Sequence, residues 1–170
     1  LQLTYMVKAY ASEEKRSLLI GAAKRLLHEQ GFGRTTLAEV ASGAGVPLGN
    51  LYYYFKTKEA LAEAVLAAHE ANLRTLFAGW DSAHRDPQVR LRRLIRAPLD
   101  SVEAVIEFGC PHGSLCQELE KLGADAPLAK AGARLLTVYI DWAAKEFRAL
   151  GLTRSQARAS AAQLVAAVQG

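Results

Sequence analysis

Residues 35–61, with the sequence TTLAEVASGAGVPLGNLYYYFKTKEAL, decide the fold of this chain. Thr35 or Thr36 can cap a short helix, because a threonine hydroxyl accepts a hydrogen bond from a backbone N–H of the first turn. Gly43 and Gly45 can end that helix, since glycine takes a positive φ without strain. The stretch therefore predicts a short helix, a tight turn and a second helix that follows it.

The spacing of small and apolar residues is typical of a helix-turn-helix. In this motif the two helices cross closely, so the first needs a small residue, the turn a glycine and the second helix apolar anchors. Pro47 can occupy the first turn of the second helix, where its missing N–H costs nothing. The required residues occur in order as Ala41, Gly45, Val46 and Leu51, with Phe55 one turn further on.

The second helix and the residues after it carry groups that suit DNA. The side chains between and after its apolar anchors are Leu48, Gly49, Asn50, Tyr53, Tyr54, Lys56 and Lys58. A further helix begins near Lys58, and both a helix N-terminus and an ammonium group favour a phosphate. We therefore predict that this motif docks on double-stranded DNA.

Composition and charge fit this prediction without establishing it. The chain has 170 residues, 51% of them hydrophobic, and its net charge of +4 suits an anionic partner. Its two cysteines are too few for a disulfide framework, so we expect a reducing cytoplasm. Residues 1–11 are too short and too mixed for a signal peptide or a membrane span, so no membrane association is expected.

Helical periodicity continues along the chain. Apolar spacing predicts a first helix from an N-cap at Ser12 to Gly31, and later helices at about 58–79, 114–122, 126–149 and 153–170. Pro98 should kink or break the helix that begins at Pro87. Because no segment alternates as a strand does, we predict an all-α fold.

The motif and its surroundings resemble the signature of the tetracycline-repressor (TetR/AcrR) family. The resemblance rests on the order and spacing of Gly31-Phe32, Thr35-Thr36-Leu37, Val40-Ala41, Ala44-Gly45-Val46 and Leu51-Tyr52-Tyr53-Tyr54-Phe55-Lys56-Thr57-Lys58-Glu59-Ala60-Leu61. It implies an N-terminal three-helix DNA-binding domain, residues 12–58, and a C-terminal helical domain for ligand binding and dimerisation, residues 59–170. The last helix is still patterned at Gly170, so it can belong to a longer, truncated element.

The function that the resemblance implies is that of a DNA-binding transcription repressor. A homodimer places its two heads in successive major grooves, so its two-fold symmetry makes the operator a near-palindrome. A small-molecule inducer bound in the C-terminal domain releases the repressor from this operator. No cofactor is expected.

Position by position, the resemblance assigns contacts with DNA. The family's phosphate contacts correspond to Thr36, Tyr54 and Lys58. The positions that face bases correspond to Leu48, Gly49 and Tyr53. The ring of Tyr52 is expected to pack inward while its hydroxyl reaches the DNA backbone.

The sequence departs from the commoner family pattern at the start of the second helix. Pro47 and Leu48 stand where polar residues are frequent, so few side chains can read bases by hydrogen bonding. Leu48 can still touch thymine methyl groups, and Asn50 can bond adenine. Groove shape can contribute the rest of the specificity.

The C-terminal region contains a second motif with several interpretations. Cys110, His112 and Cys116 can be three metal ligands, a thiol pair tuned by an imidazole, or ordinary packing and pocket lining. Zinc usually needs a fourth ligand, and neither His69 nor His84 is placed by sequence to supply it, so we predict no metal site. A redox-responsive regulator that senses through Cys110 and Cys116 is the alternative function.

A pocket for the inducer should be mostly apolar with a few polar groups. The candidate lining residues of the C-terminal region are Phe77, Trp80, Phe108, Cys110, His112, Tyr139 and Trp142. His112 is the best polar candidate, because a turn at residues 111–113 limits how its imidazole can be satisfied locally.

The last two long helices have large apolar faces. Leu135, Leu136, Val138 and Ile140 lie on one of them, and a stripe from Ala161 to Val168 lies on the other. Because one small domain can hardly hide both faces, we expect them to pair across a two-fold axis as a four-helix interface.

The motifs of common enzyme classes are missing from the sequence. It contains no nucleophile elbow, no His-Glu-x-x-His metal helix and no phosphate loop. His112 and Ser114 lack a placed acid partner, so nucleophilic catalysis is not expected. We predict that the chain is not an enzyme.

Overall fold

The computed structural model of the chain describes residues 2–169, with the side chains of residues 6, 10, 12–100 and 102–169. The described residues contain helices and no strand, which confirms the all-α fold class. The helices are α1 (Gln2–Arg34), α2 (Leu37–Gly43), α3 (Leu48–Tyr54), α4 (Lys58–Ala83), α5 (Pro87–Arg96), α6 (Val102–Phe108), α7 (Pro111–Glu120), α8 (Pro127–Ala149) and α9 (Arg154–Gln169). No helix in this range combines the length and the apolar character that crossing a bilayer requires.

The helices form two compact units. The first unit ends at Val65 and the second begins at Leu66, so the division falls inside α4, whereas the sequence sets the boundary after Lys58. The buried apolar side chains of the first unit include Leu19, Ala23, Val40, Leu51 and Phe55. Those of the second unit include Leu94, Leu119, Leu135, Ala143, Ala157 and Ala161.

The first helix differs from its prediction at its start. Because α1 already begins at Gln2, the prediction of Ser12 as its N-cap is wrong. The hydroxyl of Ser12 instead lies 3.1 Å from the hydroxyl oxygen of Tyr54. The predicted break at Gly31 is confirmed, since this residue leaves helical geometry with φ 81° and ψ 168°, a conformation that glycine reaches without strain.

Two prolines shape the middle of the second unit. At Pro98 the helix path changes to a 3-10 segment, Ala97–Ser101, which confirms the predicted break. Pro111 begins α7, where a missing N–H costs nothing, so this helix starts earlier than the predicted residue 114. His112 therefore lies in the first turn of a helix, and its predicted position in an irregular turn is wrong.

The apolar faces of α8 and α9 are partly buried within the chain. Leu135 and Ala161 are fully buried, and Val138 and Val165 are nearly so. The two helices pack on each other along their length, and α7 covers a further part of α8. Leu136, Ile140, Leu164 and Val168 of the same two helices are only half-buried, so the pairing of these faces across a two-fold axis stays a prediction.

A buried ion pair joins α5 to α8. Glu146 is 0% exposed, and its Oε2 accepts a hydrogen bond of 2.7 Å from Arg90 Nε and a second from Arg90 Nη2. Arg90 Nη1 also donates to the carbonyl of His84 at 2.6 Å. Lys145 Nζ lies 3.2 Å from the other oxygen of Glu146 and 2.6 Å from Asp81 Oδ2, so the carboxylates of α4 and α8 share these cations.

Candidate nucleic-acid interface and ligand cavity

Thr36 fixes the start of α2, which settles the choice between the two threonines. Its Oγ1 accepts from the N–H of Glu39 at 3.2 Å, and its own N–H donates to Glu39 Oε2 at 2.8 Å, a reciprocal capping box. The Thr36 hydroxyl also donates to Glu39 Oε2 at 2.7 Å, and these side-chain and backbone bonds lower the pKa of Glu39. Thr35 is buried and donates to the carbonyl of Gly31.

The turn and α3 give the second helix an inner and an outer face. Gly45 has φ 65°, and Pro47 stands at the N-cap of α3, one residue before the predicted position in its first turn. Leu51 and Phe55, one turn apart, are 0% and 4% exposed and anchor the inner face. The exposed residues of α3 are Leu48, Gly49, Asn50, Tyr52 and Tyr53.

The three consecutive tyrosines have different surroundings. Tyr53 is 75% exposed, and its ring meets the ring of Tyr54 edge to face at a centroid distance of 5.0 Å. Tyr54 is half-buried and bonded to Ser12. Tyr52 is 44% exposed, so the prediction that its ring packs in the core is wrong. One residue turns a helix by about 100°, and Tyr52 stands one step past the buried Leu51.

Lys58 holds the end of α1. Its ammonium donates to the carbonyls of Phe32 and Gly33, at 2.9 Å and 3.3 Å, and lies 4.4 Å from the centroid of the Phe32 ring. An ammonium has three N–H donors, so two serve these carbonyls and one is left for another acceptor. Lys56 is exposed. The assignment of Lys56 and Lys58 to phosphates stays a prediction.

A cavity of about 300 Å³ lies in the second unit. Three of the predicted pocket residues, Cys110, His112 and Tyr139, line it. The other polar lining residues are His69, Asn72 and Gln169. Most of the remaining wall is apolar, including Leu73, Leu76, Leu94, Ala97, Val105 and Val168.

The other predicted pocket residues lie elsewhere. Phe77 and Trp142 stack with a centroid distance of 4.2 Å and line a second cavity of about 500 Å³, which charged residues also line. Trp80 packs on both rings and lines a third cleft. Phe108 lines none of these three. The predicted set is therefore not one pocket.

Three polar side chains form a hydrogen-bonded row in the 300 Å³ cavity. Tyr139 Oη lies 2.5 Å from His112 Nδ1, and His112 Nε2 lies 2.9 Å from His69 Nδ1. Burial raises the pKa of Tyr139 to about 12, so its hydroxyl keeps its proton at neutral pH. We call His69, His112 and Tyr139 the polar row. Sequence reasoning did not place His69 there, because 43 residues separate it from His112.

The close approach of α7 and α9 closes one side of this cavity. A Cβ added to Gly113 would lie 2.6 Å from the backbone oxygen of Gln169, nearer than real Cβ atoms come to other atoms. Cys110, at the start of α7, donates from its thiol to Gln169 Oε1 at 2.7 Å. The absence of a side chain at residue 113 therefore lets the end of α9 reach the cavity.

The two cysteines have unequal environments. Cys110 is half-buried, whereas Cys116 is 6% exposed and its thiol lies 3.5 Å from the carbonyl of Gly132. Burial raises the pKa of Cys116 to about 11, which leaves little of the reactive thiolate at neutral pH and speaks against a thiol-pair sensor. Within residues 2–169, no three His, Cys, Asp or Glu side chains are grouped so that they could hold a metal ion.

Comparison with known proteins centres on the first unit. Residues 19–65 match the family model described as "Bacterial regulatory proteins, tetR family". The HTH-type transcriptional regulator TtgR of Pseudomonas putida is 35% identical over 85 residues, 49% of this chain and 40% of TtgR. The HTH-type transcriptional regulator BetI of Burkholderia ambifaria is 35% identical over 102 residues, 58% of this chain and 51% of BetI. The chain thus spans about half the length of the curated relatives it matches.

The likeness of fold extends further along the chain than the likeness of sequence. A TetR transcriptional regulator from Legionella pneumophila, known from its crystal structure, matches with a TM-score of 0.80 over 90% of this chain and 82% of that one. Its identity of 16% makes this a likeness of fold alone. Residues 19–65, which contain the whole of α2 and α3, are therefore similar to the TetR family of bacterial regulatory proteins, and the chain shares the fold of a TetR regulator.

Proposed function

We propose that the chain is a DNA-binding transcriptional regulator that inserts α3 into the major groove of an operator. The outer face of α3 carries the proposal: Leu48, Asn50 and Tyr53 are exposed there, while Leu51 and Phe55 anchor the helix from behind. The names of TtgR and BetI, both transcriptional regulators of the helix-turn-helix type, support it, and neither name describes an enzyme. In this proposal residues 12–58 are the DNA-binding domain.

The contacts with DNA divide into two groups. Leu48, Gly49, Asn50 and Tyr53 face the bases, where the leucine can meet thymine methyl groups and the asparagine can bond adenine. The phosphate contacts come from Thr36, Tyr52, Tyr54, Lys56 and Lys58. The exposure of Tyr52 supports a backbone contact by its hydroxyl, since the ring is not enclosed in the core.

The regulator is a repressor that a small molecule releases from its operator. The second unit, within residues 59–170, offers the mostly apolar cavity of about 300 Å³, a volume at the small end of the range for ligand pockets. A homodimer with two-fold symmetry reads a near-palindromic operator through two copies of α3.

The test is binding to DNA from the region upstream of the chain's own gene, with a scrambled duplex of equal length as the control. Fluorescence anisotropy should give at least about a thousandfold preference for the natural duplex, and affinity should fall steeply between about 50 and 200 mM salt. Lys56→Gln should reduce the slope of log K against log salt by about one, as expected for one phosphate contact.

Lys121→Gln is the matched control, since Lys121 is exposed in the second unit and has no assigned DNA contact. It should leave the salt slope unchanged. Equal affinity for the natural and scrambled duplexes would contradict the proposed function, and an unchanged slope in Lys56→Gln would remove that lysine from the interface.

A further inference from the structure

The wall of the 300 Å³ cavity has polar groups but no fixed charge. Among the described residues that line it there is no Asp, Glu, Lys or Arg. The larger cavity beside Phe77 differs, because Glu70, Arg74, Asp81, Arg134 and Asp141 all line it. A ligand that carries a permanent charge would therefore lose water in the 300 Å³ cavity without gaining a counter-ion of fixed charge.

The polar groups of this wall are concentrated in one place. The polar row His69, His112 and Tyr139 comes from three helices, α4, α7 and α8. Asn72, one turn after His69 on α4, adds an amide to the same cavity. The rest of the wall is mostly apolar, and Leu73, Leu94 and Val105 contribute to that surface.

Tyr139 can serve a ligand as well as its protein partner. A phenol oxygen carries one hydrogen and two lone pairs, so its hydrogen bonds with His112 and with the side chain of Gln169 leave one site for a ligand. At neutral pH this hydroxyl is uncharged, because burial raises its pKa to about 12. It can therefore bond a neutral hydroxyl or carbonyl group without placing a charge in the cavity.

We infer that the cavity selects an uncharged, mostly apolar organic molecule that fits within about 300 Å³ and places one hydroxyl or carbonyl group against the polar row. This inference rests on the proposed function, in which the same cavity holds the inducer. It narrows the inducer to one class, and it excludes carboxylate, phosphate and ammonium ligands of similar size.

Four probes with one aromatic body test the class: 2-naphthol, naphthalene, 2-naphthoate and 2-naphthylmethylammonium. Equilibrium dialysis of the full chain at pH 7, without DNA, measures each affinity. We expect 2-naphthol to bind about three- to tenfold more tightly than naphthalene, the range of one neutral hydrogen bond. The two charged probes should bind at least about a hundredfold more weakly than 2-naphthol.

Three variants locate the binding. Tyr139→Phe removes only the hydroxyl of the polar row and should erase the preference for 2-naphthol over naphthalene while naphthalene binds as before. Val105→Trp fills the cavity and should weaken both probes at least tenfold. Tyr10→Phe is the matched control, because Tyr10 is 77% exposed outside the second unit, and it should change neither affinity. If Tyr139→Phe does not fold, His69→Leu is the second variant. It removes the imidazole at the other end of the polar row.

Several results would overturn the inference: binding of 2-naphthoate or the ammonium probe as tight as that of 2-naphthol, no binding of any probe, or an unchanged naphthol preference in Tyr139→Phe or His69→Leu. DNA affinity of the same preparation is measured separately. Lost probe selectivity with retained operator binding refutes the ligand class alone. Lost operator preference with retained probe selectivity refutes the proposed function alone.

Discussion

The two units place their polar groups in opposite ways. In the first unit the candidate residues of α3 stand on the surface, and apolar side chains such as Leu51 hold the helix from behind. In the second unit Glu146, His112 and Tyr139 turn inward, where each has a hydrogen-bonding partner. The first unit therefore presents its candidate residues to solvent, whereas the second encloses its polar side chains.

This difference decides how each unit responds to substitution. A surface group that loses its partner returns to water at little cost, whereas a buried group that loses its partner keeps the full penalty of desolvation. Polar substitutions should therefore act mainly on stability in the second unit and mainly on DNA affinity on the outer face of the first.

The largest expected effect is at the buried ion pair. Arg90→Leu leaves the carboxylate of Glu146 buried with only Lys145 near it, and should lower the free energy of unfolding by about 3 kcal/mol or more. Urea denaturation followed by tryptophan fluorescence measures it, because both tryptophans, Trp80 and Trp142, belong to the second unit.

The matched control is an exposed pair of the same unit. Arg158 Nη1 lies 2.9 Å from Asp141 Oδ1, and both side chains are about 60% exposed. Arg158→Leu should cost at most about 1 kcal/mol. If Arg90→Leu and Arg158→Leu proved equally stable, the buried ion pair would contribute no more to stability than the exposed pair.

The next effect concerns the buried thiol. In a Cys110→Ser background, iodoacetamide at pH 8 should alkylate Cys116 about a hundredfold more slowly in the folded chain than in the urea-unfolded chain, because burial raises its pKa from 9.0 to about 11. Mass spectrometry of timed samples gives both rates. Rapid labelling in the folded chain would show that the interior opens near α7 and would restore the case for a thiol sensor.

The smallest effect belongs to the first unit. Thr36→Ala removes the hydroxyl from the capping box and should cost about 1 kcal/mol of stability, measured by circular dichroism during thermal unfolding. Thr75→Ala, in an exposed position within α4, should change stability by less than about 0.5 kcal/mol and is the control. A loss no larger than that of the control would mean that the cap does not hold α2 in place.

The same substitution has a consequence for pH dependence. The bonds from Thr36 lower the pKa of Glu39, so their contribution to stability is present above the ordinary carboxyl pKa and is lost as the pH falls through the lowered value. In Thr36→Ala the pKa of Glu39 should rise toward its ordinary value, which a nuclear magnetic resonance titration detects. An unchanged pKa of Glu39 in Thr36→Ala would mean that a group other than the Thr36 hydroxyl lowers it.

Local spacing explains why much of the first unit could be predicted. Thr36 and Glu39 are three residues apart, and Leu51 and Phe55 are four apart, so the sequence displays each pair directly. The exposure of Tyr52 could not be predicted from residue spacing, because the rotation of a short helix against its neighbours decides which of two adjacent residues is buried. Its exposure follows from packing and not from residue type.

The second unit was less predictable because its partners are distant in sequence. His112 and Tyr139 could be named as candidates, but their bond, and that of His112 with His69, depends on the packing of three helices. The apolar patterns of α8 and α9 were read correctly as apolar faces. Periodicity does not tell which part of such a face meets another helix of the same chain, and here α8 and α9 bury part of their faces against each other.

Gly113, the residue after His112 in the wall of the 300 Å³ cavity, is a position where no other amino acid fits without a shift of the backbone. A single hydrogen stands where every other amino acid would bring a carbon atom against the backbone of Gln169. Backbone cannot rotate away as a long side chain can, so even alanine would push the last turn of α9 outward. The 300 Å³ cavity therefore depends for its shape on a residue that contributes no side chain to it.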